Sequence, residues 1–279
     1  MVNLSEFKKN KNFLVCVDSD GCAMDTMDIK HFKCFGPCMV KEWHLEEWQD
    51  EILARWNEIN LYSMTRGINR FTGLAKALEE IDQKYCEIEG IKDFVDWTNN
   101  AAELSNRSVE RRIDETGSQI YSKALNWSLK VNKSINELSD DDKKPFDGVL
   151  EGLKAAHEFA DIAVVSSANK EAVVEEWERY NLTDYVDCLC CQDSGTKAIC
   201  IEKLKELGYE ENNILMIGDA PGDRKAAKTN GVNYYPILVK HEDDSWEEFR
   251  NIAFKKFINS DYKEYGQIKE NEFLDNLTH

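Results

Sequence analysis

The stretch Phe13-Leu-Val-Cys-Val-Asp18-Ser-Asp20-Gly21 closes an apolar run with two carboxylates and a glycine. An ionised carboxylate in apolar surroundings must be paired, hydrogen-bonded or bound to a metal. In an extended chain residues i and i+2 project to the same side, so Asp18 and Asp20 converge on one site if the strand conformation continues through them. Gly21 permits the sharp exit that such a site requires. Residue types and spacing together point to chemistry at a metal ion. Other reactive residues end similar runs: Ser166 and Ser167 follow Asp161-Ile-Ala-Val-Val, and Asp219 follows Asn213-Ile-Leu-Met-Ile-Gly218.

These residues need elements to hold them. Residues 13–18 read as a buried strand. Helical periodicity then dominates, with apolar residues at spacings of three and four across Trp43–Ile59, Thr72–Ile81, Ile91–Leu104 and Ser118–Val131. The polar, charged run Ser139-Asp-Asp-Asp-Lys-Lys-Pro145 has the composition of a linker. Beyond it helices and strands alternate. Helices are predicted over Gly148–Phe159, Lys170–Tyr180, Thr196–Leu207 and Arg224–Thr229, and strands over Asp161–Ser166, Val186–Cys191, Asn213–Gly218 and Val232–Val239. Continuous apolar strands separated by helices imply a parallel sheet covered on both faces. The first strand belongs with this later half.

The expected fold class is therefore α/β, a Rossmann-like parallel sheet core covered by helices, with an all-helical domain inserted into it. The predicted boundaries are 1–26 for the first strand and motif, 27–144 for the helical insertion, 145–240 for the rest of the core, and 241–279 for a helical C-terminal extension. Ligands of such sheets bind beyond the carboxyl ends of the strands, where Asp18, Asp20, Ser166, Ser167 and Asp219 all fall.

The 279 residues are 42% hydrophobic, enough for a substantial core. With 35 basic and 53 acidic residues the formal net charge is −18, which repels nucleic acid and anionic membrane surfaces. The N-terminal residues lack an apolar signal core, and no run approaches the roughly 20 apolar residues of a membrane span. The nine cysteines read as reduced thiols of a cytoplasmic protein. Neither Cys34/Cys38 nor Cys188/Cys190/Cys191 supplies the paired spacing of a structural zinc site, and the five histidines show no ligand spacing.

In order and spacing, the strand-end motifs make the chain similar to the haloacid dehalogenase-like hydrolase superfamily, in its phosphatase branch with a helical cap. Asp18-Ser-Asp20-Gly21-Cys-Ala-Met-Asp25-Thr26 resembles that family's first motif, with Cys22 and Ala23 where threonine and leucine are usual. Val164-Val165-Ser166-Ser167 resembles the second, Lys197 at a helix start the third, and Gly218-Asp219-Ala-Pro-Gly222-Asp223 the fourth. The resemblance implies that Asp18 is the nucleophile, forming an aspartyl-phosphate, and that Asp20 is general acid and base. It implies that Mg2+ is held by Asp18, the backbone carbonyl of Asp20, and Asp219, with Asp223 a further ligand or an orienting group. Ser166, Ser167 and Lys197 would bind the phosphoryl oxygens, helped by backbone amides around Ala168. Asp20 favours phosphate esters over carbon–halogen substrates, because an alcohol leaving group has to be protonated.

The expected partner is a small phosphorylated metabolite, a sugar or organic-acid phosphate, with no nucleic acid and no membrane. Thr65-Arg66-Gly67-Ile-Asn-Arg70 is the cap segment suited to an anionic or hydroxylated substrate, through Arg66 and Arg70, although surface arginines between helices fit as well. Simple structural roles also fit Asp25 and Ser167 as caps, Gly222 and Gly231 in tight turns, and the tryptophans at 43, 48, 56, 97 and 127 as cap core. A phosphomutase on the same fold and a catalytically silent metabolite-binding protein are the alternatives.

Overall fold

The computed structural model describes residues 1–278. Its centre is a six-stranded, wholly parallel sheet in the order β1-β4-β3-β2-β5-β6. The strands are β1 Val2–Asn3, β2 Phe13–Val17, β3 Ala160–Val165, β4 Cys188–Cys190, β5 Ile214–Gly218 and β6 Asn233–Pro236. β2 lies between β3 and β5, and the register sets Val17 level with both Val164 and Ile217. The chain builds outward from β2 through β3 and β4, then crosses to the other side for β5. Strand order reverses at β2, the place where open α/β sheets bind ligands. β3 and β5 are buried along their whole length, which explains their unbroken apolar sequences.

Two compact units divide the chain: Met1–Met27 with the chain from Asp140 onward, and Asp28–Ser139. The first contains the sheet and its covering helices, which include Val149–His157, Lys170–Arg179, Lys197–Lys205 and Pro221–Asn230. The segment after β6 continues through Glu242–Glu248, a π-helical turn at Phe249–Ala253, Phe254–Ile258 and Lys263–Thr278. Trp246, Phe249, Phe254, Phe257 and Tyr262 of this segment join the same core as Val15, Val17, Leu215 and Ile217. The tail is therefore part of the core.

The second unit is wholly helical, with its own core around Trp56, Phe71, Phe94, Tyr121 and Trp127. Trp43, Trp56 and Trp127 are buried and Trp48 and Trp97 half-buried. The Trp127 indole donates to the Phe35 carbonyl at 3.1 Å, and that of Trp56 to His31 Nδ1 at 3.0 Å. Periodicity predicted one helix over Trp43–Ile59. Two helices form instead, Gly36–Trp43 and Gln49–Leu61, because His44 adopts a left-handed conformation at φ 57.

Other boundaries also moved. The helix predicted from Arg224 begins at Pro221, so Gly222 lies within its first turn and not in a tight turn, whereas Gly231 ends it at φ 69. Proline suits a first helical turn, where its missing N–H has no intrahelical partner to lose. Ser167 is exposed and caps nothing; Asn169 caps the helix Lys170–Arg179 by accepting from the Ala172 amide. β1 and the helix Asn106–Thr116 were not foreseen.

Candidate active site

Asp18 is the first residue beyond β2, Ser166 the first beyond β3 and Asp219 the first beyond β5. The strand register brings all three out at one edge of the sheet. The Asp18 amide still donates to the Ile217 carbonyl at 3.0 Å, so the ladder runs up to the carboxylate itself. Asp18, Asp219 and Asp223 are all buried, and each presents an oxygen within 4.8 Å of the others.

Lys197 opens the helix Lys197–Lys205 and reaches into this group. Its Nζ stands 2.6 Å from Asp18 Oδ2 and 2.5 Å from Asp223 Oδ1. Asp18 Oδ1 accepts from the Ser19 amide at 2.8 Å, and Asp223 Oδ2 from the Ala220 amide at 3.0 Å. Gly218 makes the close approach possible, since a Cβ there would lie 2.4 Å from Asp223 Cβ.

Charge decides what such a group needs. Three buried carboxylates face one ammonium, leaving two negative charges that burial makes costly. Burial outweighs the opposing Lys197 ammonium and, with repulsion from Asp223, holds the Asp18 carboxyl above its ordinary range; burial against the same lysine, with repulsion from Asp219, does so for Asp223. Burial disfavours the Lys197 charge, but Asp18 and Asp223 outweigh it and keep the lysine protonated. A divalent cation removes the excess, and an all-oxygen donor set suits a hard ion such as Mg2+. Asp223 Oδ1 bonds the Lys197 ammonium directly, which fits that residue to orienting the lysine.

The turn after Asp18 is tightly closed. The amides of Cys22, Ala23 and Met24 all point to the Ser19 carbonyl, and the Gly21 amide donates to the Met24 carbonyl with Gly21 at φ 77. Thr26 Oγ1 donates to Asp20 Oδ1 at 2.5 Å. Three buried donors brace the surroundings: Trp177 Nε1 to Ser19 Oγ at 2.9 Å, Trp246 Nε1 to the Cys22 carbonyl at 2.8 Å, and Tyr234 OH to the Gly218 carbonyl at 2.9 Å. None of the three was given this bracing role from sequence. The tryptophans lie 158 and 224 residues from their partners, beyond any local pattern.

The remaining expected residues fare unequally. Ser166 is buried at the strand end, and its Oγ accepts from the Ala168 amide at 3.1 Å, so that amide is not available to a phosphate. Asp25 is exposed, and its backbone amide donates to the Lys144 carbonyl. Arg66 is buried in the helical unit, donates to the Leu61 carbonyl at 2.9 Å and lies 3.9 Å from Asp28. It is built into its own fold and is no surface arginine. Arg70 donates to Ser128 Oγ at 3.0 Å and Asn132 Oδ1 at 2.7 Å, and lies 5.2 Å from the Phe35 ring centre. The nine cysteines form no disulfide. Among the described residues no helix is long and apolar enough to cross a membrane.

Residues 81–237 match the model of a family described as haloacid dehalogenase-like hydrolase. Among solved structures, a haloacid dehalogenase-like family hydrolase from Streptococcus pneumoniae is 12% identical, over 84% of this chain and 90% of that one, with a TM-score of 0.50. A protein from Thermotoga maritima, provisionally named a beta-phosphoglucomutase, is 16% identical over 87% of this chain and 99% of its own, also with a TM-score of 0.50. At these identities the likeness is one of fold. No curated protein matches the sequence.

Proposed function

The chain belongs to the haloacid dehalogenase-like hydrolases, and from that premise we propose that it hydrolyses a small phosphomonoester, a sugar or organic-acid phosphate, with Mg2+. The observation that carries the reading is the buried group of Asp18, Asp219 and Asp223 around the Lys197 ammonium. Asp18, the Asp20 carbonyl and Asp219 would hold the ion, and Asp223 orients Lys197. When bound, magnesium supplies charge neutralisation and in-line positioning of the phosphoryl group.

An oxygen of Asp18 attacks phosphorus, and the ester oxygen leaves with a proton from Asp20, giving an aspartyl-phosphate. Asp20 then takes a proton from water as the water oxygen attacks the same phosphorus, which returns Asp18 and releases inorganic phosphate. Thr26 steadies the Asp20 carboxyl between these steps. Lys197 offsets carboxylate repulsion against the incoming phosphate, and Ser166 and Ser167 bind its oxygens. Of the two cap arginines, Arg70 is the one suited to the non-reacting part of an anionic substrate, because the oxygens it bonds are neutral, whereas Arg66 is buried in its own unit.

A panel of phosphomonoesters with and without Mg2+ tests the reading. Wild-type protein should release inorganic phosphate only with the ion, and Asp18→Asn should fall to background. Retention of most activity by that variant overturns the nucleophile assignment. Phosphate release that requires a bisphosphate activator supports a mutase, and tight ligand binding with no turnover across the panel supports a silent binding protein.

A further inference from the structure

We infer that Trp246, on the C-terminal segment, is a positioning residue for the proton transfers of Asp20. This inference rests on the hydrolase reading above and extends it to a part of the chain outside the four motifs. The turn Ser19–Met24 carries Asp20, and three of its amides converge on the Ser19 carbonyl. The Cys22 carbonyl is not an acceptor in that set of bonds, and Cys22 is wholly buried. It accepts from the indole N–H of Trp246 at 2.8 Å. A buried carbonyl without a donor is costly, so loss of this bond drives the turn to rearrange, and Asp20 moves with it.

The indole is itself held rigidly. Trp246 is fully buried, its ring packs edge-on against Phe249 at 5.5 Å, and Gly152 leaves the space that it fills. A Cβ on Gly152 would come within 2.9 Å of Trp246 Cε3, and one on Gly148 within 3.4 Å of Trp246 Cβ. Two glycines flanking the helix start at Val149 thus admit a ring whose only polar atom meets the turn beneath Asp20. From the other side Trp177 Nε1 fixes Ser19, and Thr26 fixes the carboxyl. The position of Asp20 is set from three directions, one of them supplied by the tail.

The test compares two aryl phosphates in wild type and Trp246→Phe, which keeps an aromatic ring and removes the N–H. The leaving group of p-nitrophenyl phosphate departs without a proton at neutral pH, whereas that of phenyl phosphate, with a phenol pKa of about 10 like tyrosine, needs one. General acid help amounts to roughly 10²–10⁴-fold, and a mis-aimed acid loses part of it. kcat/KM for phenyl phosphate should drop about tenfold or more, and that for p-nitrophenyl phosphate less than about threefold. Gly152→Ala, which shifts the ring without deleting the N–H, should show the same selective loss in weaker form, and it serves as the test if Trp246→Phe unfolds. Equal losses on both esters assign Trp246 to packing alone and overturn the inference. If wild-type protein hydrolyses neither ester with Mg2+, the hydrolase reading fails and takes this inference with it.

Discussion

Lys197→Met removes the ammonium that stands between Asp18 and Asp223, while its thioether side chain still fills much of the space. What remains is three carboxylates at 5%, 1% and 0% exposure for Asp18, Asp219 and Asp223, without the lysine that offset them. Deleting one partner of a buried ion pair leaves an uncompensated charge and costs about 3–5 kcal/mol. In a unit of this size that lowers the unfolding midpoint by roughly 6–20 °C, at about 2–4 °C per kcal/mol. The loss has a chemical signature. In EDTA it should appear in full, and it should shrink as Mg2+ is added, because an ion that binds only the folded state stabilises it by mass action. Asp223→Asn should destabilise far less in the Lys197→Met background than alone, since the repulsion that it relieves is then unscreened. Calorimetry of the four proteins with and without Mg2+ measures this coupling. A Lys197→Met penalty below about 1 kcal/mol in EDTA, as for an exposed pair, refutes the charge argument.

Gly218→Ala forces a Cβ to within 2.4 Å of Asp223, so Asp223 must move; about 1–3 kcal/mol of strain and at least tenfold weaker Mg2+ binding by titration calorimetry are expected. Of the nine cysteines, only Cys38 and Cys86 are not buried, and burial raises both thiols. A disulfide reagent at pH 8 should therefore modify no more than those two in native protein, slowly, and all nine in guanidinium. Tyr234, Tyr235 and Tyr262 are buried and held above the ordinary tyrosine range by that burial. The unfolded chain releases these protons above pH 10 and the native protein retains them, so stability is intact below that pH and falls as pH rises. The slope is up to about 1.4 kcal/mol per tyrosine per pH unit, and a midpoint unchanged between pH 9.5 and 11.5 in thermal scans contradicts it.

Asp18 and Asp219 were legible in the sequence because a carboxylate that ends a buried apolar strand is costly unless a cation or hydrogen bonds compensate it. Lys197 was not legible that way: a lysine near a helix start looks like any solvated one, and only the resemblance marked it. The alternation after Pro145 revealed the parallel sheet, since buried strands and covering helices differ in period. The break at His44 stayed hidden because Leu45, Trp48 and Ile52 sustain helical spacing across it, and a left-handed residue leaves no mark on hydrophobic pattern. Val2–Asn3 is too short to carry any pattern. The donors bracing the first motif stayed hidden for another reason. Tryptophan content forecasts apolar burial, but which carbonyl an indole N–H meets depends on tertiary approach.

On the proposed mechanism Asp18 is phosphorylated during turnover and Asp20 moves the protons. Acid-quenched turnover of p-nitrophenyl phosphate with Mg2+, followed by peptide mass spectrometry, tests both in Asp20→Ala. That leaving group needs no acid, so the first step survives while the second lacks its base. The expected result is a burst of nitrophenolate of one equivalent per active site, then slow turnover, with a phosphoryl group on the peptide containing Asp18. A steady rate without a burst and without phosphate on that peptide, in a variant that still turns over, contradicts it.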